Sequence, residues 1–214
     1  MPGTPLPAAI RTTKRTERTI SLSNFILASA SPRRQELLQR IIPRFTIEPA
    51  DLDESAANSL PARERPNYLA REKALLISKR HPNALVLGCD TGVILDGEML
   101  GKPKTPAQAA EMLRRLSGRT HEVITGCCLA QNGLLWAMRA VTKVTFYPLS
   151  EACIASYIAT NEPYDKAGGY GIQSAGGLFV RRIAGDYYNV VGLPLPSLAR
   201  LLRRAQRQGA ALYL

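Results

Sequence analysis

From position 25 onward, apolar residues recur with a period near two in short runs and a period near 3.6 in longer ones, and this alternation predicts an α/β protein. Phe25–Ala28 reads as a short strand, Pro32–Ile42 as a helix, Phe45–Glu48 as a strand and Pro61–Arg80 as a long helix. Ala84–Cys89 is an apolar run that predicts a strand ending at Asp90. Asp96-Gly97 and Asn132-Gly133 each mark a two-residue hairpin turn. The first turn pairs Leu95 with Glu98, and the same register brings Lys102 opposite Thr91. Between the hairpins, Thr105 supplies an N-cap, Pro106 a first-position proline and Gln108 a capping-box partner, and Gly118 closes the helix. A helix near Ser150–Thr160, a Gly-rich loop over Asp165–Gly177, two strands and a basic helix after Pro194 complete the chain. Hairpins among helices imply a mixed twisted sheet with flanking helices. No internal repeat is visible, and neither G-x-x-x-x-G-K-[ST] nor G-x-G-x-x-G occurs, so phosphate-loop and dinucleotide fingerprints are excluded.

A length of 214 residues suits one domain, or two lobes sharing a cleft, and buries roughly 70% of the unfolded surface. With 45% hydrophobic and 21% charged residues, wholesale disorder and a fibrous protein are excluded. The longest apolar stretches fall far short of the ~18 residues of a membrane span, so no membrane role is expected. A net charge of +11 invites a nucleic-acid reading, but most of the excess sits at the ends. Arg11, Lys14, Arg15 and Arg18 face only Glu17 in residues 1–24, and Arg200, Arg203, Arg204 and Arg207 have no acid among residues 196–214. Aromatics, at 6%, are too few for repeated stacking platforms, and nucleic-acid binding is not expected. Residues 1–24 read as a loose basic tail without the apolar core of a secretory signal, although an Arg-rich, acid-poor extension also has the composition of an organelle transit peptide. Residues 25–214 are expected to form a single domain. Cys89, Cys127, Cys128 and Cys153 form no C-x-x-C pair, and Cys127 and Cys128 on a strand point to opposite faces, so buried reduced thiols in a reducing compartment are expected.

The chemistry concentrates in a few places. Ser31 as N-cap and Pro32 as the first helical residue put Arg33 and Arg34 in a helix's opening turn, where the macrodipole favours acids by about 0.3–1 kcal/mol per charge. Free N–H groups, the hydroxyls of Ser29 and Ser31 and two guanidiniums there form a phosphate receptor, unless the arginines pair with an Asp or Glu elsewhere. In the long helix, a step of about 100° per residue places Lys73 near the middle of an apolar arc of Leu69, Ala70, Ala74, Leu76 and Ile77. An ammonium there must reach an anion in a polar cavity or snorkel out to water. Asp90, at the carboxyl end of an apolar strand, stands where α/β sheets gather ligands, and the hairpin register makes Lys102 its neighbour. Asp51, Asp53 and Glu54 are either a solvated acidic loop or, through Glu54 with Asp90, a hard oxygen site for a divalent cation. Both His81, at a helix end, and His121 read as structural. In the loop Asp165-Lys166-Ala167-Gly168-Gly169-Tyr170-Gly171-Ile172-Gln173, glycines let backbone approach a ligand, and Gln173 offers a carbonyl and an amide that match N3–H and O4 of uracil or thymine.

The strings Leu27 to Leu38 (LASASPRRQELL), Asp53-Glu54, Ala70 to Ala74 (AREKA), Gly88 to Thr91 (GCDT), Leu100 to Pro103 (LGKP), Ser117 to His121 (SGRTH), Asp165 to Gln173 and Asn189 to Pro194 (NVVGLP) together resemble the Maf family of nucleoside triphosphate pyrophosphatases. The resemblance implies a fold of two lobes around a central cleft, like that of inosine triphosphate pyrophosphatases. It also implies a cytoplasmic, usually homodimeric enzyme that hydrolyses a noncanonical or pyrimidine nucleoside triphosphate to the monophosphate and pyrophosphate with Mg²⁺ or Mn²⁺. By position, Asp90 is similar to the family's proton acceptor; Arg33, Thr91 and Gln173 match positions that set base preference; Glu54, Lys73 and Lys102 match polar site residues. With them, Ser29, Ser31, Arg34, Asp165 and Lys166 complete the expected substrate site, and Glu54 and Asp90 are the expected metal ligands. The Asp165–Gln173 string is like that of the branch acting on dTTP and UTP. Ser174 departs from the glycine of many members, and residues 1–24 lie outside the family pattern. The competing expectation is a protein that binds nucleic acid or a cell-division partner through its basic ends, with any hydrolysis incidental.

Overall fold

A computed structural model describes residues 24–211, so the expectation of a loose tail over residues 1–24 falls, apart from Asn24, outside it. Among the described residues seven strands form one mixed sheet. β1 (Phe25–Leu27) pairs in parallel with β2 (Thr46–Ile47) on one side and with β3 (Leu85–Leu95) on the other. β3, β5 (Thr120–Gln131), β6 (Leu134–Phe146) and β7 (Val180–Ala184) then follow one another antiparallel. β4 (Glu98–Leu100) folds back onto β3, with Leu95 facing Glu98 as the turn residues predict. Asp96 and Gly97 hold φ values of 51° and 82°, which a primed hairpin turn requires. The expected mixed sheet with flanking helices is what forms.

Several local expectations are corrected, each for a visible reason. The helix read over Pro61–Arg80 begins only at Arg65, because Pro66 has no N–H to give and fits only a first turn. The helix read to Ile42 ends at Gln39, ahead of Pro43, which disfavours helical backbone at the residue before it. Of the two strands expected after the Gly-rich loop, one is β7; the other segment is a short helix, α5 (Tyr187–Val191), capped by Asp186, whose side chain accepts the Tyr188 N–H at 2.9 Å. Gln108 accepts from the N–H of Lys104, one residue before the expected N-cap partner. Three cysteines are buried, but Cys153 is exposed.

The sheet's two faces carry different loads. Leu85, Leu87 and Cys89 of β3 enter one core with Leu37 and Leu38 of α1 (Pro32–Gln39) and Leu198, Leu201 and Leu202 of α6 (Leu195–Arg207). Val93 and Leu95, of the same parity on the same strand, enter a second core with Leu113 and Leu116 of α3 (Pro106–Leu116) and Ile154 of α4 (Glu151–Ile158). Because side chains alternate along a strand, both cores lie on one face, at opposite ends of β3, with Thr91 between them. Two lobes thus share one strand. His121 lies in the second lobe against Phe146 and Tyr170, with ring centroids 5.0 and 5.4 Å away, and its Nε2 meets the Tyr170 hydroxyl at 2.8 Å. Burial holds its imidazole at a pKa of about 4.

The opposite face is covered by α2 (Arg65–Arg80). Ala70 and Ala74 pack on Cys128 and Ala130, and Ile77 on Val86. The helix comes unusually close because two strand positions lack a side chain: a Cβ on Gly88 would stand 2.1 Å from the Ala70 carbonyl oxygen, and one on Gly126 would stand 2.5 Å from the Pro66 carbonyl oxygen.

Two stability measurements check this account. Gly88→Ala should lose at least the roughly 1–3 kcal/mol typical of overpacking, read from the urea midpoint, whereas Gly101→Ala, with nothing within 4 Å of its Cβ, should stay close to the parent. For His121 the folded state resists protonation that the unfolded chain accepts near pH 6.5, so its contribution is complete above that pH and is lost as pH falls toward 4. Between those limits the loss should be on the order of 3 kcal/mol, and His121→Asn should flatten that part of the stability profile.

Candidate active site

β1 covers the edge of β3 only as far as Leu87, and β4 takes up the same edge only from Val93. Over residues 88–92, β3 keeps β5 on one side and, among the described residues, has no strand on the other. This gap opens on a cleft of about 1150 Å³ walled by both lobes. Asp90 sits in the gap. The expectation that it ends a strand is therefore corrected: β3 runs on to Leu95 because β5 pairs with it along its whole length, and what ends near Asp90 is its neighbour.

Asp90 lies at the even-numbered positions that face α2, and Lys73 meets it there. The Lys73 Nζ stands 2.7 Å from Asp90 Oδ1 and 2.7 Å from Glu54 Oε1. Its side chain is 13% exposed, which decides between the two readings of an ammonium in an apolar arc: it turns into the cavity and does not snorkel. Asp90 is similarly enclosed, and burial pushes its carboxyl up, against the opposite pull of Lys73 and Arg34. A carboxylate so placed is a stronger base than a free one.

The two arginines of α1 have different partners. Arg33 reaches across to Asp165, Nη1 to Oδ2, at 2.9 Å. Arg34 joins three segments: its Nε donates to the Gly192 carbonyl at 3.0 Å, Nη1 to Ser29 Oγ at 3.1 Å and Nη2 to Thr91 Oγ1 at 3.0 Å. Thr91 lies 2.9 Å from Thr125 Oγ1, which donates to the Asn189 carbonyl, so hydrogen bonds tie the seam between the two cores from Arg34 through to Asn189. The Ser31 N–H donates to Ser29 Oγ at 3.3 Å, and Ser31 Oγ caps α1. Lys166 donates to Asp165 at 2.6 Å and to the Glu162 carbonyl at 2.9 Å. Although burial pushes it up, Lys166 and Arg33 together hold the Asp165 carboxyl below the usual range. Lys102 and Gln173 are exposed on the cleft walls; β4 ends at Leu100, so the strand pairing expected for Lys102 with Thr91 does not extend that far. Every expected site residue, Ser29, Ser31, Arg33, Arg34, Glu54, Lys73, Asp90, Thr91, Lys102, Asp165, Lys166 and Gln173, thus lines one cleft.

Sequence reasoning missed the support of the Gly-rich loop. Glu162 accepts from Tyr157 Oη at 2.8 Å, from Ser174 Oγ, and from the N–H groups of Ala175 and Gly176 at 3.2 and 3.3 Å. The one signal available was an acid placed just ahead of a glycine-rich stretch.

A divalent cation, implied by the family resemblance, finds two suitable oxygen donors here. Glu54 and Asp90 already converge on one cationic atom, and no group of three or more His, Cys, Asp or Glu suited to a metal occurs among the described residues. Two carboxylates with the remaining positions left to phosphate and water is the usual provision for Mg²⁺, so the donor set fits.

Residues 24–205 match the family described as Maf-like protein. A dTTP/UTP pyrophosphatase of Exiguobacterium sibiricum is 52% identical over 177 residues, covering 83% of this chain and 90% of that one. One of Moorella thermoacetica is 51% identical over 183 residues, covering 85% and 94%, and one of Pyrococcus abyssi is 47% identical over 178 residues, covering 83% and 94%. Among solved structures, a HAM1 protein from Coxiella burnetii aligns with a TM-score of 0.42 at 17% identity, over 58% of this chain and 73% of that one.

Proposed function

The chain belongs to the Maf-like protein family, and from that premise we propose that it hydrolyses a nucleoside triphosphate, with dTTP, UTP and related modified pyrimidine nucleotides as substrates, to the monophosphate and pyrophosphate. It is a hydrolase of nucleotide metabolism that removes unwanted nucleotides from the pool. Relatives named dTTP/UTP pyrophosphatase, aligned over most of their own length, support the base preference. The observation that carries the reading is the enclosed Lys73–Asp90 pair in the gap of β3, with Glu54 on the same ammonium. The alternative of a nucleic-acid or cell-division binding protein has no support in the comparisons. No helix among the described residues is long and apolar enough to cross a membrane. We place the enzyme in the cytoplasm with its substrates, as a homodimer.

In this reading Arg33 and Lys102 bind phosphate oxygens from opposite walls, and Lys73 neutralises charge at the innermost phosphate. Asp90 orients a water molecule and takes its proton as the water oxygen bonds to the α-phosphorus. The bond from that phosphorus to the bridging oxygen breaks, and pyrophosphate leaves. Little covalent work falls to the protein in such a transfer, so placement and charge complementarity supply most of the acceleration. Glu54 and Asp90 would hold a divalent cation, Mg²⁺ or Mn²⁺, whose role when bound is to neutralise the triphosphate. Burial serves Asp90 directly, since a base with a raised pKa takes the proton more readily than an ordinary carboxylate. Arg34 and Thr91 hold the floor between the lobes, and Ser29 and Ser31 shape the phosphate wall with Asp165 and Lys166 opposite. Gln173 reads the base: its carbonyl accepts N3–H and its amide donates to O4, a pattern that cytosine reverses.

Purified protein given dTTP, UTP, CTP or 7-methyl-GTP with Mg²⁺ should release pyrophosphate from the first two and little from the others; orthophosphate instead of pyrophosphate would overturn the reaction. Asp90→Asn should lower kcat by about 10²–10⁴-fold while nucleotide binding, followed by calorimetry, persists.

A further inference from the structure

We propose that Glu162 is a positioning residue for base selection: from outside the cleft lining it fixes the segment that carries Gln173, and this rests on the reading of Gln173 given above. Three consecutive residues of that segment border the cleft, and the outer two are held from elsewhere. Ile172 packs against both hydrophobic cores, Gln173 faces the cleft, and Ser174 turns back to donate to Glu162. Gln173 is thus held between an apolar anchor before it and a polar anchor after it.

The polar anchor is a single carboxylate with four donors. Glu162 Oε1 takes Tyr157 Oη, Ser174 Oγ and the Gly176 N–H, while Oε2 takes the Ala175 N–H. Tyr157 closes the circuit, since its hydroxyl also accepts the Gly171 N–H at 3.2 Å. Both ends of the stretch 171–176 are therefore tied to one point. Its compactness leaves no slack: a Cβ on Gly176 would lie 2.8 Å from Tyr157 Oη and 2.9 Å from both the nitrogen and the oxygen of Gly171. Although burial pushes it up, the hydrogen bonds from Ser174, Tyr157 and Gly176 bring the Glu162 carboxyl below the usual range, so it remains an acceptor for all four donors at neutral pH.

The hydroxyl of Ser174 gives this chain a donor that glycine lacks, so the departure from the family pattern acts here as an added tie. Ser174 has φ −130°, a backbone conformation open to any residue, and its side chain costs no strain.

A side amide that distinguishes uracil from cytosine must be held in place and in one orientation, because both bases present one donor and one acceptor, only their order differs, and an amide free to turn over serves either. Loosening the anchor therefore affects discrimination before it affects chemistry. In steady-state assays with UTP and CTP, Glu162→Ala should lower the kcat/KM ratio of UTP over CTP by about tenfold or more, through KM, with kcat at saturating UTP within about threefold of the parent. Glu162→Gln keeps an oxygen for three donors but sets its amide nitrogen against the Ala175 N–H, so it should recover part of the selectivity. Tyr157→Phe preserves ring packing and removes the shared hydroxyl, giving a milder version of the Glu162→Ala phenotype should that variant fold poorly. Gln173→Ala, measured alongside, separates the two claims. If it leaves the preference for UTP intact, the base-reading assignment itself is wrong. If it abolishes the preference while Glu162→Ala and Tyr157→Phe retain it, or lose kcat and melting temperature with an unchanged UTP to CTP ratio, the positioning role of Glu162 is overturned.

Discussion

The distance between helix α2 and the sheet governs the rest of the molecule. It is set by two missing side chains, since Gly88 and Gly126 let the helix backbone rest on strand backbone where even a methyl group would collide. Lys73, one turn from the contact at Ala70 and next to that at Ala74, is thereby brought low enough to touch Asp90, two residues beyond Gly88 on the strand. With ordinary residues at those positions the helix would ride higher and the pair would part. The pattern Gly88-Cys89-Asp90 is thus one device, in which the glycine determines the reach of a lysine on another element.

The cleft is strongly charged, and its three carboxylates are all already paired, while Lys102 keeps no carboxylate partner among the described residues. Lys73 joins Asp90 to Glu54, Arg33 meets Asp165, and Lys166 shares that same carboxylate. Such pairing lowers the cost of keeping ions in a partly enclosed space, which for an unpaired group amounts to several kcal/mol. It also means that a polyanionic substrate exchanges partners with groups already in place and need not call charges in from solvent. Exposure is uneven: Lys73 and Asp90 are enclosed, while Asp165 and Glu54 are more than half exposed, so the outer pairs are the weaker ones.

What was legible in the sequence follows the range of the interactions involved. Hairpin turns and caps depend on a few neighbouring residues, and the register of the hairpin at Asp96-Gly97 follows from the turn alone, Leu95 facing Glu98. The apolar arc of α2 leaves Lys73 either to enter a cavity or to snorkel, and the cation-rich start of α1 asks for a phosphate unless an acid elsewhere answers it; only the fold turns Lys73 inward and brings Asp165 to Arg33. Strand ends were harder to read. Asp90 looks terminal because the first apolar run stops there, whereas β3 runs on without a break into the arm of the Asp96-Gly97 hairpin, the two joined into one strand by continuous pairing with β5. The Tyr187–Val191 helix is rich in aromatic and β-branched residues, and its Asp186 cap and Gly192 stop outweighed that β preference. Glu162 could not be found because its partners span residues 157 to 176, and their convergence exists only once the loop has closed on itself.

The sharing of β3 by two lobes has a consequence for how this protein can vary. Neighbouring positions on that strand serve opposite sides of the sheet: Asp90 answers to Lys73 behind it, Thr91 to Arg34 and Thr125 in front. Sliding the strand by one residue would trade those allegiances, burying a carboxylate among the threonines and sending a hydroxyl to the ammonium. Lineages descending from this sequence are therefore free to exchange many side chains along the walls, and to lengthen the loops beyond them, but not to gain or lose a single link between Leu85 and Leu95.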